Sequence, residues 1–236
     1  MGRLIGIEIE FLATGDVTGQ MRDRNLFGQG WVEKGDGSLD HRRRNERDYE
    51  VASPPMDSAS PATWSMVKDA LAAIRAANGR VNRSCGLHVH VDARDLVVAD
   101  VHRVLKSYYS AQDAIDLMVP RSRRDGNSEY CSRPQSNRLE DAMRATTIQS
   151  MGAMGRYVNV NLQSYPIHGT IEFRQHSGTL TYQKIHAWSK FVLAHVESAV
   201  ANRTVRESLD DMLADLRINR RLRRYWQRRV TCLSGA

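Results

Sequence analysis

Four pairs of polar residues stand two apart in segments that otherwise alternate with apolar ones: Glu8 and Glu10, His88 and His90, Asn159 and Asn161, Glu172 and Arg174. On a strand, side chains two apart share a face and sit about 7 Å from each other. If the apolar faces pack beneath helices, the polar faces assemble into one surface of carboxylates, imidazoles, amides and a guanidinium. That surface is either a solvated sheet face or a site, and the lysines usual on solvated faces are absent from these segments. Two carboxylates about 7 Å apart at an effective dielectric near 20 repel by about 2 kcal/mol. Adding Glu50 and Glu172 multiplies that cost, and a divalent cation removes it. Carboxylates with one or two imidazoles suit Mg²⁺ or Mn²⁺, and no HExxH or thiolate pair offers a zinc alternative. No Walker A segment is present, and Gly28-Gln29-Gly30 is too short for a phosphate loop. Any nucleotide phosphates would therefore be held through metal and arginine.

The elements that must position these residues are legible in the periodicity. Leu4 to Leu12 alternates as a strand, with Ile5, Ile7, Ile9 and Phe11 opposite the two glutamates. Residues 13–47 read as irregular and glycine-rich, with a strand near Gly30 to Lys34, a turn at Gly35-Asp36-Gly37 and a charged loop from His41 to Asp48. Asp36 reads as a turn former with no chemical role. A short strand from Tyr49 to Ser53 ends at Pro54-Pro55. Ser60-Pro61 opens a helix that runs to Asn78-Gly79, with Trp64, Val67, Leu71 and Ile74 as its stripe. Cys85 to Asp92 is a second strand, and a long helix is expected from Ala99 to Met118. Residues 120–137 read as a surface loop, followed by a helix from Asn137 to Met151. Strands Arg156 to Gln163 and Thr170 to Gln175 look like a hairpin, and the chain closes with helices at Thr181 to Asn202, Arg206 to Leu216 and the arginine-rich segment. This order predicts an α+β fold: a single domain whose antiparallel or mixed, curved sheet has helices on one face. Residues 1–216 form its body, and 217–236 an arginine-rich C-terminal helix and tail.

The chain's 34 basic and 27 acidic residues give a formal charge of +7. Seven arginines between Arg217 and Arg229, with no acid among them, account for all of it. The rest of the chain is formally neutral, so the charge is a property of one segment. Its default reading is a solvated helix face with Ile218, Leu222, Tyr225 and Trp226 docked inward; the rival is a surface for nucleic acid or another polyanion. Arg121, Arg123, Arg124, Arg133 and Arg138 could steer an anionic substrate or simply be solvated. No apolar run approaches the roughly 20 residues that span a bilayer, and acids stand where a secretory segment would be apolar. Cys85, Cys131 and Cys232 lack CxxC spacing and read as reduced thiols. A cytoplasmic protein with no membrane partner is expected.

Six segments in order, GIEIEF (6–11), GDGSL (35–39), YEVASPP (49–55), CGLHVHVD (85–92), RYVNVNL (156–162) and GTIEFRQHSGT (169–179), resemble the amidoligase family of carboxylate-amine ligases, compact relatives of glutamine synthetase and glutamate-cysteine ligase. The resemblance stops short of the arginine-rich segment. It implies a glutamine-synthetase-like catalytic core, with ATP and Mg²⁺ (or Mn²⁺) as cofactors. It also implies a reaction in which a small-molecule or peptide carboxylate is phosphorylated and then taken by an amine. By position it implies Glu8, Glu10, Glu50, His88 and Glu172 as metal ligands and His90 beside the nucleotide phosphates. Arg174 would face the transferred phosphoryl group, and Arg156 and Asn161 would contact substrate. A metal-dependent hydrolase on the same face, or a non-catalytic nucleic-acid-associated protein, is the alternative.

Overall fold

A computed structural model describes residues 2–35, 37, 39–40 and 45–235. The chain forms two compact units, Met1–His90 with His176–His186, and Val91–Gln175 with Ala187–Ala236. Among the described residues there are ten α-helices and seven strands, a mixed α/β fold.

In the first unit, β1 (Leu4–Ala13) is followed by helix α1 (Val17–Asp23), β2 (Val32–Lys34), β3 (Arg47–Ala52), β4 (Met56–Asp57), helix α2 (Pro61–Ala76) and β5 (Gly86–Asp92), whose last two residues belong to the second unit. The alternation expected of β1 is realised, with Ile5, Ile7, Ile9 and Phe11 all buried. β3 runs antiparallel to β1 with Glu50 opposite Glu10, and β2 antiparallel to β3 with Lys34 opposite Glu50. β4 caps the start of β1, pairing Met56 with Ile5. Helix α2 begins as expected: the Ser60 hydroxyl accepts the Ala62 N–H at 3.3 Å, Pro61 fills the first turn, and Trp64, Val67, Leu71 and Ile74 are buried. The helix ends where Gly79 donates to the Ile74 carbonyl at 2.8 Å; a Cβ there would stand 2.6 Å from that oxygen.

Residues 13–47 are more ordered than their composition suggests. Asp16 caps α1 by accepting the Gly19 N–H at 2.8 Å, and Val17 and Met21, one turn apart, are buried. With only two apolar anchors, so short a helix leaves little periodic signal. The expected turn centred on Asp36 and the start of the charged loop, residues 41–44, lie outside the described residues. The remainder of that loop enters β3, preceded by Glu46, whose carboxylate is gripped by the Arg80 guanidinium.

In the second unit the predicted long helix is two, α3 (Val98–Ser110) and α4 (Gln112–Met118). They break at Ala111, whose ψ of 12° departs from helical values. Gln112 there turns a buried side chain toward Asp116 and Asn159 rather than to solvent. The predicted 137–151 helix is likewise split into α5 (Ser136–Arg144) and α6 (Ile148–Met151), because Thr147 caps the second by accepting the Ser150 N–H. Strand β6 is only Val160–Asn161, shorter than its alternation implied. After helix α7 (Tyr165–His168) it pairs antiparallel with β7 (Thr170–Ser177), Val160 opposite Phe173 and Asn161 opposite Glu172. The expected hairpin pairing therefore forms. The strand order is β2-β3-β1-β5-β7-β6, with β4 on β1. Residues 120–137 are not purely a surface loop: Arg121–Arg123 make a 3₁₀ turn, and Arg123 and Cys131 are buried. Helices α8 (Tyr182–Val200), which begins in the first unit, α9 (Leu209–Asp215) and α10 (Arg220–Ser234) complete the chain. Trp226 of α10 is wholly buried against Trp188 and Phe191, with ring centroids 6.2 and 5.9 Å away. No helix is long and apolar enough to cross a membrane among the described residues.

Candidate active site

Adjacent strands of the first unit bring Glu8, Glu10, Glu50, His88 and His90 together. His88 stands between the two glutamates of β1, its Nδ1 3.3 Å from Glu8 Oε2 and its Nε2 3.4 Å from Glu10 Oε1. His90 Nε2 lies 3.5 Å from the other Glu8 oxygen. Glu10 is anchored a second time by the Gly86 N–H at 2.5 Å. The absence of a side chain at Gly86 permits that approach, since a Cβ would stand 2.7 Å from His88 Nε2 and 3.1 Å from Glu10 Oε2. Two acids, two imidazoles and a backbone amide thus hold one another in place.

Electrostatics differ sharply between neighbouring carboxylates. Burial pushes Glu8 up, but hydrogen bonds and charge from His88 and His90 outweigh it and hold the carboxyl well below the usual range. Glu50 is pushed up, first by burial and next by the charge of Glu8; Lys34, 3.3 Å away, only partly offsets this. One donor atom from each of Glu8, Glu50 and His88 lies within 4.8 Å of the others. Hard oxygen donors in excess of nitrogen, with repulsion between Glu8 and Glu50 that Lys34 only partly offsets, fit a divalent cation of the Mg²⁺ or Mn²⁺ type. Lys34 had no signal in the sequence, because only the β2–β3 register places it opposite Glu50.

The second unit joins Glu172, Arg174 and Asn161. Asn161 Nδ2 donates to Glu172 Oε2 at 2.6 Å, and the Arg174 guanidinium pairs with Glu172 Oε1. All three are buried, so this hairpin face is not solvated. Arg174 keeps its backbone N–H on the Asn159 carbonyl at 2.9 Å, which locks the strand register, while its buried Nε–H has no acceptor among the described residues. Arg156 is placed elsewhere: it precedes β6, is exposed, and lies over the Tyr157 ring at 5.8 Å.

Behind β6 and β7 lies a polar chain that the alternation did not reveal. Asn159 donates to Gln112 at 2.9 Å, and Gln112 to Asp116 at 2.7 Å. Gln175 also donates to Asp116, at 2.6 Å, and accepts from Tyr108 at 2.8 Å. Of these, the sequence pattern singled out only Asn159, as a strand-face residue. The rest sit on helices or on the opposite face of β7, where a polar residue carries no periodic signal.

No curated protein matches this chain. A family model of amidoligase enzymes matches residues 21–196. That stretch contains Glu50, His88, His90, Arg156, Asn161, Glu172 and Arg174, while Glu8 and Glu10 precede it. With most of its length matched, the glutamate and histidine cluster held by β1, β3 and β5, and the Glu172–Arg174 pair on β7, the chain belongs to the amidoligase family and is a ligase-type enzyme.

Proposed function

We propose that this protein is an ATP- and Mg²⁺-dependent carboxylate-amine ligase that forms an amide through an acyl phosphate, on a glutamine-synthetase-like core in the cytoplasm. The observation that carries the reading is the Glu8, Glu50 and His88 donor set, in which the Glu50 carboxylate is already opposed by the charge of Glu8. Glu8, Glu50 and His88 would hold the metal, with Glu10 orienting His88 through its Nε2 contact. A divalent ion held there would supply charge neutralisation for nucleotide phosphates and for the substrate carboxylate.

In the first step a carboxylate oxygen of the substrate attacks the γ-phosphorus and ADP leaves; in the second an amine attacks the acyl carbon and phosphate leaves. Arg174 would stabilise the phosphoryl oxygens, a role its acceptor-free Nε–H supports. Glu172 would add a further metal ligand and Asn161 would fix its orientation through the 2.6 Å hydrogen bond. His90 would face the nucleotide phosphates. Arg156, exposed and over Tyr157, would reach substrate only from outside this buried group. No protein nucleophile is needed.

The test is a panel of carboxylate and amine pairs incubated with Mg²⁺-ATP, read by phosphate release and by product mass. ADP release that requires both substrates, and is lost in Glu172→Gln with unchanged melting, is the expected result. Full activity in that variant, or bond cleavage in the absence of nucleotide, would overturn the reading.

A further inference from the structure

Helix α10 carries its arginines in two different ways. Arg223 and Arg229 are spent on the fold, donating to the Ile218 carbonyl at 2.6 Å and the Met118 carbonyl at 3.2 Å. Arg220, Arg221, Arg224 and Arg228 are exposed. At 3.6 residues per turn these four fall within about 100° of one another along about 12 Å of helix, opposite the buried Trp226. Arg217, also exposed, lies just before them.

Among the described residues no acid pairs with this stripe. The acids of neighbouring α9 are committed elsewhere: Asp211 and Asp215 each pair with Arg206 at 2.8 Å, and Asp210 accepts from Gln227 at 2.8 Å. None of the four arginines makes an ion pair among the described residues. The helix has no acid in its first turn, where its dipole disfavours Arg220 and Arg221, and Arg220–Arg224 and Arg224–Arg228 are like-charge pairs one turn apart. Cation placed against the helix's own preference, without an internal counter-charge, is matched by a partner presenting anions at regular intervals.

We propose that the arginine stripe of α10 binds the phosphate backbone of nucleic acid. Guanidinium forks pair bidentately with phosphate. The exposed face has no apolar residue interleaved between the arginines, as Leu222, Tyr225, Trp226 and Val230 are turned wholly or partly inward. A membrane-surface helix would need the reverse, and a protein interface would need an apolar centre. Binding is then electrostatic and independent of base sequence, and it does not rest on the ligase reading.

The experiment is fluorescence anisotropy of the full-length protein with a short labelled DNA duplex of arbitrary sequence. Four phosphate contacts predict an affinity loss on the order of 100-fold between about 50 and 200 mM salt. Arg221→Gln/Arg224→Gln/Arg228→Gln should lower the log–log salt slope by about one per arginine removed. Its melting temperature should equal or exceed that of the wild type, since repulsion is relieved. If the triple variant melts lower, Arg228→Gln alone should lower the slope by about one. The proposal is overturned if the wild type fails to bind duplex at low salt, if the slope is unchanged in the variants, or if poly-glutamate or phosphatidylserine vesicles bind as tightly as duplex.

Discussion

Glu50 illustrates how a site residue can be costly to the fold that holds it. Its carboxyl pKa is raised by burial and by the charge of Glu8, so the fold works against the ionised form that a metal ligand needs. In the metal-free protein, Glu50→Gln should raise stability by about 1 kcal/mol, the scale of such like-charge terms. The same change should weaken Mn²⁺ binding at least tenfold, and urea unfolding in chelator alongside Mn²⁺ titration measures both signs. His195 makes the opposite kind of residue-scale statement. It is wholly buried, among Tyr108 and Phe191, and desolvation lowers its pKa to about 3. A folded-state value below the unfolded one means the unfolded chain binds the extra proton. Stability from this residue is therefore complete above about pH 6.5 and is lost on acidification, by about 1.4 kcal/mol per pH unit until about pH 3. Unfolding midpoints of wild type and His195→Gln between pH 5 and pH 7 should differ in slope on pH, whatever their difference in absolute stability.

Among elements, the β6–β7 hairpin decides the geometry of the buried pair. β6 has two residues, too few to hold a register by itself, and the Asn159–Gln112–Asp116–Gln175 chain supplies what the ladder lacks. Gln112→Leu leaves the Asn159 amide without its acceptor and should cost about 2 to 3 kcal/mol. Denaturant unfolding measures that cost, and a loss below about 0.5 kcal/mol would show that the chain is not structural. The same substitution should reduce ligation, through Arg174 positioning, more than it weakens Mn²⁺ binding, for which Glu8, Glu50 and His88 stand on β1, β3 and β5.

At the scale of the molecule, the +7 resolves into Arg217 and the six arginines of one helix with two jobs. Its inner side supplies Trp226 to the aromatic cluster, and its outer side is the arginine stripe. Truncation after Leu216 removes seven arginines and takes the formal charge to zero, but it also uncovers Trp188 and Phe191. We expect the truncated chain to lose at least about 3 kcal/mol and to aggregate, as large buried aromatics do when unpacked. A full-length chain with the exposed arginines replaced by glutamine should remain monodisperse, and light scattering of the two tests this.

By itself the sequence determined which residues share a strand face, because alternation at period two depends only on local backbone geometry. It therefore marked Glu8 with Glu10, His88 with His90 and Glu172 with Arg174, and it located the whole charge excess. It also marked the long helices with several apolar anchors, α2 and α8. Tertiary structure alone decided what stands across from each face: Lys34 opposite Glu50, His88 between two glutamates, Gln112 beneath Asn159. It also broke the 99–118 and 137–151 helices, shortened β6 and set Arg156 apart. Cross-strand register and buried polar pairing join residues distant in sequence, and no local period records them.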